Sequence, residues 1–250
     1  MTAASTPPPA PEPDVTLERR EAWRAAWGVG IAVSAYGVSF GALAVASGLS
    51  VWQACVLSLV MFSGGSQFAL IGVIASGGAS AGPAAIAGAT LLGLRNGLYA
   101  VRVSPIVGPG VLKRLVAGHL TIDESTAVST AQRHPEAQRV GFWATGVIIY
   151  IGWNVMTLVG ALVGDLLGDV RAYGLDAAAA AAFLGLVWPR LRALEPVAVA
   201  GGAAIVAVVT IPLLPPGIPV LAAALVGVAG GLLGVWRRRR DTESITGEQP

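Results

Sequence analysis

The chain has 250 residues, of which 54% are hydrophobic and only 12% charged, with a mean hydropathy of +0.70. Such values exclude an ordinary water-soluble domain and place the protein among lipid-embedded chains. The net charge of +2 is too small to argue for a nucleic-acid partner, and the single cysteine excludes an internal disulfide or a cysteine-ligated metal cluster, so no cofactor is implied.

Residues 1–22, "MTAASTPPPAPEPDVTLERREA", are Pro-rich and polar and lack the apolar core of a secretory signal. They are expected to form a disordered cytoplasmic tail. The transmembrane domain then covers 23–236, and 237–250 is a basic, then polar, cytoplasmic tail. A spanning helix needs roughly 20 mostly apolar residues, which gives room for seven or eight spans in an all-α, polytopic fold, some of them broken or re-entrant.

The first predicted span runs from about Trp23 to Ala46 and the second from about Trp52 to Ala75, where Gly64 and Gly65 in "MFSGGSQFAL" interrupt the helix. A third, about Ala84 to Ser104, contains Arg95, Asn96, Tyr99 and Arg102. The fourth, about Val111 to Thr130, is the poorest by hydropathy, because it holds Lys113, Arg114, His119, Asp123 and Glu124. It qualifies only if these groups face protein or a water-filled cavity. Further spans follow at about Val140 to Val163, Leu175 to Trp188, Pro196 to Ile211 and Val220 to Trp236, with an acidic loop holding Asp165 and Asp169 after the fifth.

Basic clusters at both ends, Arg19, Arg20 and Arg24 before the first span and Arg237 to Arg240 after the last, place both termini in the cytoplasm and require an even number of crossings. Under that count Arg133 and Arg139 fall inside, but Lys113 and Arg114 fall outside. This conflict keeps open a seven-span alternative in which the third or fourth segment is re-entrant.

A charge at the centre of an isolated span costs roughly 2.5–3.5 kcal/mol. Arg95 and Arg102 on the third segment are therefore expected to be compensated by Asp123 or Glu124 on the fourth. On unbroken helices Arg95, Tyr99 and Arg102 share one face, and His119 and Asp123 form an i, i+4 pair. A register-fixing ion-pair network is the structural reading of this set; a transport pathway is the functional one, which intramembrane charges favour. Ser66 and Gln67 add hydrogen-bonding groups beside a helix break, where freed helix ends suit the charged ends of an amino acid.

The motifs "GVSFGALAVASGLS" (37–50), "MFSGGSQFAL" (61–70), "LLGLRNGLYAVRVSP" (91–105), "HLTIDES" (119–125), "YIGWNVMTLVGALVG" (150–164) and "YGLDAA" (173–178), in this order, resemble the AzlC family, the large subunits of branched-chain amino acid exporters. The resemblance implies export of branched-chain and related hydrophobic amino acids across the bacterial inner membrane, with a small AzlD-type membrane subunit as partner. Asn96 stands where a histidine is common in that family. With no ATP-binding loop in the chain, an ion gradient, the proton motive force, is the expected energy source.

Ser66, Gln67, Arg95, Asn96 and Tyr99 are the candidate substrate-binding residues, and Asp123 and Glu124 the candidates for proton coupling or ammonium binding. Two rivals are an intramembrane serine hydrolase using Ser66 with His119 as base, and an ABC-type permease subunit. The first needs a nucleophile elbow that "GGSQF" lacks, and the second a larger cytoplasmic coupling surface than "TAQRHPEAQR" offers.

Overall fold

The computed structural model describes residues 14–167, 184–185, 187–188, 191–215 and 217–246. Most of the expected sixth span, the motif at 173–178, Asp169 and Arg190 lie outside the described residues, as does 1–13 of the expected amino-terminal tail. Every regular element among the described residues is helical. They are α1 (Val15–Ala46), α2 (Val51–Val60), α3 (Gly64–Gly77), α4 (Gly82–Val107), α5 (Val111–Leu120), α6 (Asp123–Thr130), α7 (Pro135–Leu167), α8 (Leu194–Thr210) and α9 (Ile218–Thr246).

Helix α1 begins upstream of Trp23, because Asp14 ends the Pro-rich run and caps the first turn, its carboxylate accepting the Thr16 N–H at 2.8 Å. Helix α9 likewise continues past Trp236 and includes Arg237–Arg240. Among the described residues three stretches are long and apolar enough to cross a membrane: Val15–Ala46, Gly64–Val107 and Pro135–Leu167. The middle one is interrupted by a 3-10 turn at Gly78–Ala81, which leaves α4 as its continuous spanning part, about 39 Å long. Seven or eight crossings are not seen among the described residues.

The described chain divides into two compact units, Met1–Gly37 with Arg95–Met156 and Val38–Leu94 with Thr157–Pro250. In the first, α1 and α7 pack in parallel through small residues: a Cβ on Gly30 would meet Ile148, and one on Gly152 would overlap Ser34. Their starts are tied together, since the Glu18 carboxylate accepts the Arg133 and His134 N–H groups at 3.2 and 2.8 Å and Arg19 lies 3.8 Å from Glu136. The end of α4 reaches the same place, where Arg139 near the start of α7 donates to the Ile106 carbonyl at 3.0 Å.

From there the chain goes inward and comes back. Leu120, at the end of α5, packs against Gly146, about 16 Å along α7. After the break at Thr121–Ile122, α6 returns until the Ser129 hydroxyl donates to the Gln138 carbonyl at 2.9 Å and Gly141 closes on Val128 and Ser129. The fourth sequence segment is therefore not one span but two short helices folded back on themselves.

The second unit repeats the pattern. Its part of α1 runs parallel to its part of α7 at backbone contact, with Gly41 against Thr157 and Ala161 and Gly160 against Val38; a Cβ at Gly41 or Gly160 would overlap main-chain atoms, so only glycine allows this approach. Ser58 near the end of α2 reaches Thr157 (Oγ to Oγ1 3.3 Å), level with Gly41, and Phe68 on α3 meets Phe40 edge-on at 5.8 Å. The residues flanking the break at Met61–Ser63 thus lie at one depth. Helix α3 then pairs antiparallel with α4, since Ser66 lies beside Gly93, and Gly217 closes on both Val73 and Ala84. The second sequence segment is likewise a folded-back pair, and its break precedes Gly64 and Gly65, which open α3. In the same unit α8 and α9 form an antiparallel hairpin, Gly202 against Val226 and Gly230 against Val199.

Candidate functional site

Each break in a buried helix frees carbonyl and amide groups that must find partners where no water is available. At Met61–Ser63 the partner is Gln67, fully buried, whose amide Nε2 donates to the Met61 carbonyl at 2.6 Å and approaches the Ser58 carbonyl at 3.5 Å. Ser63 donates to the buried Ser66 hydroxyl at 3.3 Å. At Thr121–Ile122 the role falls to Ser125, whose hydroxyl accepts the Ile122 N–H at 3.0 Å and donates to the Leu120 carbonyl at 2.8 Å. Thr121 closes the last turn of α5 by donating to the Ala117 carbonyl at 2.7 Å.

This second break places Asp123 and Glu124 in the first turn of α6, where the helix dipole favours negative charge. It also brings Asp123 to Arg95 on α4, Nη1 to Oδ2 3.0 Å, with side-chain exposures of 31% and 27%. The compensation expected from the cost of intramembrane charge is thus present, and Asp123 provides it. Glu124 lies beside it, half-buried.

The unit that holds the pair also has buried polar atoms without a hydrogen-bond partner among its described residues. Arg95 Nε, Asn96 Oδ1, Thr126 Oγ1, Thr145 Oγ1, Ser34 Oγ and Asn154 Oδ1 are all buried without a hydrogen-bond partner among the described residues. Buried polar atoms are normally satisfied, so each of these is a place for water or a further polar partner, and Arg95 Nε, Asn96 Oδ1 and Thr126 Oγ1 belong to residues of the pair or close to it along the chain. Asn154 does use its amide nitrogen, donating to the Tyr150 carbonyl at 2.7 Å. Sequence reading missed Thr126 and Asn154 as members of this set, although an asparagine inside "YIGWNVM" was the available signal.

Two sequence expectations change. Arg95, Tyr99 and Arg102 do share one face of the continuous α4, but Arg102 is exposed near the end of that helix, and Asp123, the acid expected for either arginine, is paired with Arg95. His119 and Asp123 are not an i, i+4 pair, because the break separates them; the His119 ring meets Tyr150 edge-on at 5.4 Å. Ser66 and Gln67 belong to the Val38–Leu94 unit, and Arg95, Asn96, Tyr99, Asp123 and Glu124 to the other.

A family model described as AzlC protein matches residues 28–167. The chain belongs to the AzlC family. The matched region includes α2 to α6 and most of α1 and all of α7, and so both breaks and the Arg95–Asp123 pair. No curated protein and no solved structure matches the chain. Length, composition and family together make this AzlC-family chain a helical membrane protein.

Proposed function

We propose that this AzlC-family chain is a secondary transporter subunit that exports branched-chain and related hydrophobic amino acids across the bacterial inner membrane, powered by the proton gradient and working with a small AzlD-type membrane subunit. The observation that carries this reading is the Arg95–Asp123 pair, part-exposed, with Arg95 Nε and the neighbouring Asn96 Oδ1 buried and unsatisfied. A guanidinium and a carboxylate side by side match the two charged ends of an amino acid, and each can exchange its protein partner for the substrate's opposite charge. In this reading Arg95 takes the substrate carboxylate, Asp123 the ammonium or the coupling proton, and Asn96 and Thr126 orient the backbone atoms. Tyr99 and Glu124 flank the same pair along the chain.

Ser66 and Gln67 enter differently from the sequence expectation. Their observed hydrogen bonds hold the α2–α3 break together, which supports a role in shaping this segment before any role in touching substrate. The same geometry weakens the hydrolase reading, because the observed partner of the Ser66 hydroxyl is Ser63 and the His119 ring meets Tyr150 edge-on.

The test loads cells with dipeptides that release leucine, isoleucine, valine or methionine and follows efflux with and without this chain and its small partner. Efflux that requires the chain and collapses with an uncoupler supports the proposal; unchanged efflux of every amino acid tried refutes it. Asp123→Asn then separates two roles. Loss of gradient-driven efflux with retained exchange assigns Asp123 to the proton, and loss of both assigns it to the ammonium.

A further inference from the structure

Three cations converge on the carboxyl end of α4, all of them within the unit Met1–Gly37 with Arg95–Met156. The turn "VGPG" (107–110) brings two of them there. Gly108 and Gly110 have φ of +85° and +116°, which glycine adopts without strain, and the tight turn sets the start of α5 beside the end of α4. Arg114 Nε lies 3.5 Å from the Gly108 carbonyl, and Lys113 Nζ lies 3.8 Å from where a Cβ on Gly108 would stand. Arg139 on α7 supplies the third, donating to the Ile106 carbonyl at 3.0 Å. All three side chains belong to exposed residues.

Their charge is not balanced where they meet. The carboxyl end of a helix carries about half a negative charge, against three positive ones here. Among the described residues no carboxylate forms an ion pair with any of the three, and the acids of this end are engaged, Glu136 with Arg19 and Glu18 with the Arg133 and His134 N–H groups. Each arginine uses Nε on a carbonyl, and its two terminal nitrogens, the fork suited to a phosphate, have no partner among the described residues.

The surroundings say which anion fits. Trp143, half-buried with Lys113 Nζ 6.0 Å over its ring, is the residue type that sits at headgroup level. From the same place α5 runs inward, burying Ala117 and Leu120 and leaving Val111, Leu112, Leu115 and Val116 exposed. Its length of about 15 Å is the depth of one leaflet's hydrocarbon. A cluster that wants a phosphate, at the head of an apolar strip one leaflet deep, has the shape of a phospholipid. We propose that Lys113, Arg114 and Arg139 bind the headgroup of an anionic phospholipid whose acyl chains lie along the exposed face of α5. The excess of basic residues makes this the cytoplasmic leaflet. The site rests on the chain being a membrane protein and stands whether or not the transport reading does.

The experiment follows the thermal midpoint of the purified full chain in a neutral detergent as dioleoyl phosphatidylglycerol, dioleoyl phosphatidylcholine or inorganic phosphate is added. Phosphatidylglycerol should raise the midpoint to a plateau, and the other two should raise it less. Equal shifts with the two lipids overturn the headgroup assignment, and an equal shift with inorganic phosphate shows a site for free anions and overturns the lipid. Each basic residue at a membrane surface is worth about fivefold in affinity, so R114Q/R139Q should need about 25-fold more phosphatidylglycerol for half the shift. R20Q/R24Q removes the same charge from exposed positions on α1 and should retain the response. Equal losses in the two double variants reduce the effect to diffuse charge and overturn the proposal. Because Arg139 also ties α7 to α4, Lys113→Gln serves as a second variant, expected to weaken the response about fivefold. An unchanged response in Lys113→Gln overturns the site as drawn.

Discussion

Removing one side of the Arg95–Asp123 pair isolates what holds α6 against α4. At 3.0 Å, in an effective dielectric of 20, the two charges attract by roughly 5.5 kcal/mol. Desolvation offsets much of that, yet deleting one partner of a buried pair still costs about 3–5 kcal/mol, because the other charge is left behind. With 31% and 27% of these side chains exposed, water takes up part of the loss. Asp123→Asn or Arg95→Gln alone is therefore expected to cost about 2–3 kcal/mol. In a chain of this size that lowers the midpoint of thermal unfolding in detergent by about 4–12 °C. The double variant R95Q/D123N removes both charges and should lose about 1–2 kcal/mol less than the sum of the singles. Additivity within about 0.5 kcal/mol would mean that the two groups do not stabilise each other, and would refute the compensation argument.

Gln67→Leu keeps the volume but strands the Met61 and Ser58 carbonyls, and should cost about 1–3 kcal/mol by the same thermal measurement; an unchanged midpoint would show that another group holds the break. Ser125→Ala should destabilise by about 1–2 kcal/mol and raise amide exchange at Ile122 before that of the α7 helix, since its hydroxyl is the acceptor for that amide. Gly41→Ala forces α1 and α7 apart at backbone contact and should cost about 1–3 kcal/mol or more, whereas Gly28→Ala, with nothing within 4 Å of the new Cβ, should be neutral or gain up to about 1 kcal/mol. Equal effects of the two glycine substitutions would remove close packing as the reason for Gly41.

Composition and hydropathy by themselves determined the membrane class, the helical fold and the positions of the strongest apolar segments, because a chain in lipid must be apolar outside and hydrogen-bonded within. The cost of an isolated charge also made it legible that Arg95 would meet Asp123 or Glu124, and the fold decided for Asp123. The ordered motifs carried the family. What sequence could not determine was where the chain turns back. An apolar stretch that crosses and one that dips and returns have similar hydropathy, and only packing partners tell them apart: Ser58 and Phe68 at one level of α1, Leu120 and Ser129 on either side of a turn against α7. The same contacts moved Lys113 and Arg114 to the face of Arg139, broke the expected His119–Asp123 register and gave Gln67 to the backbone of its own break. Each of these depends on which polar group lies within about 3 Å of another, a distance that the fold decides.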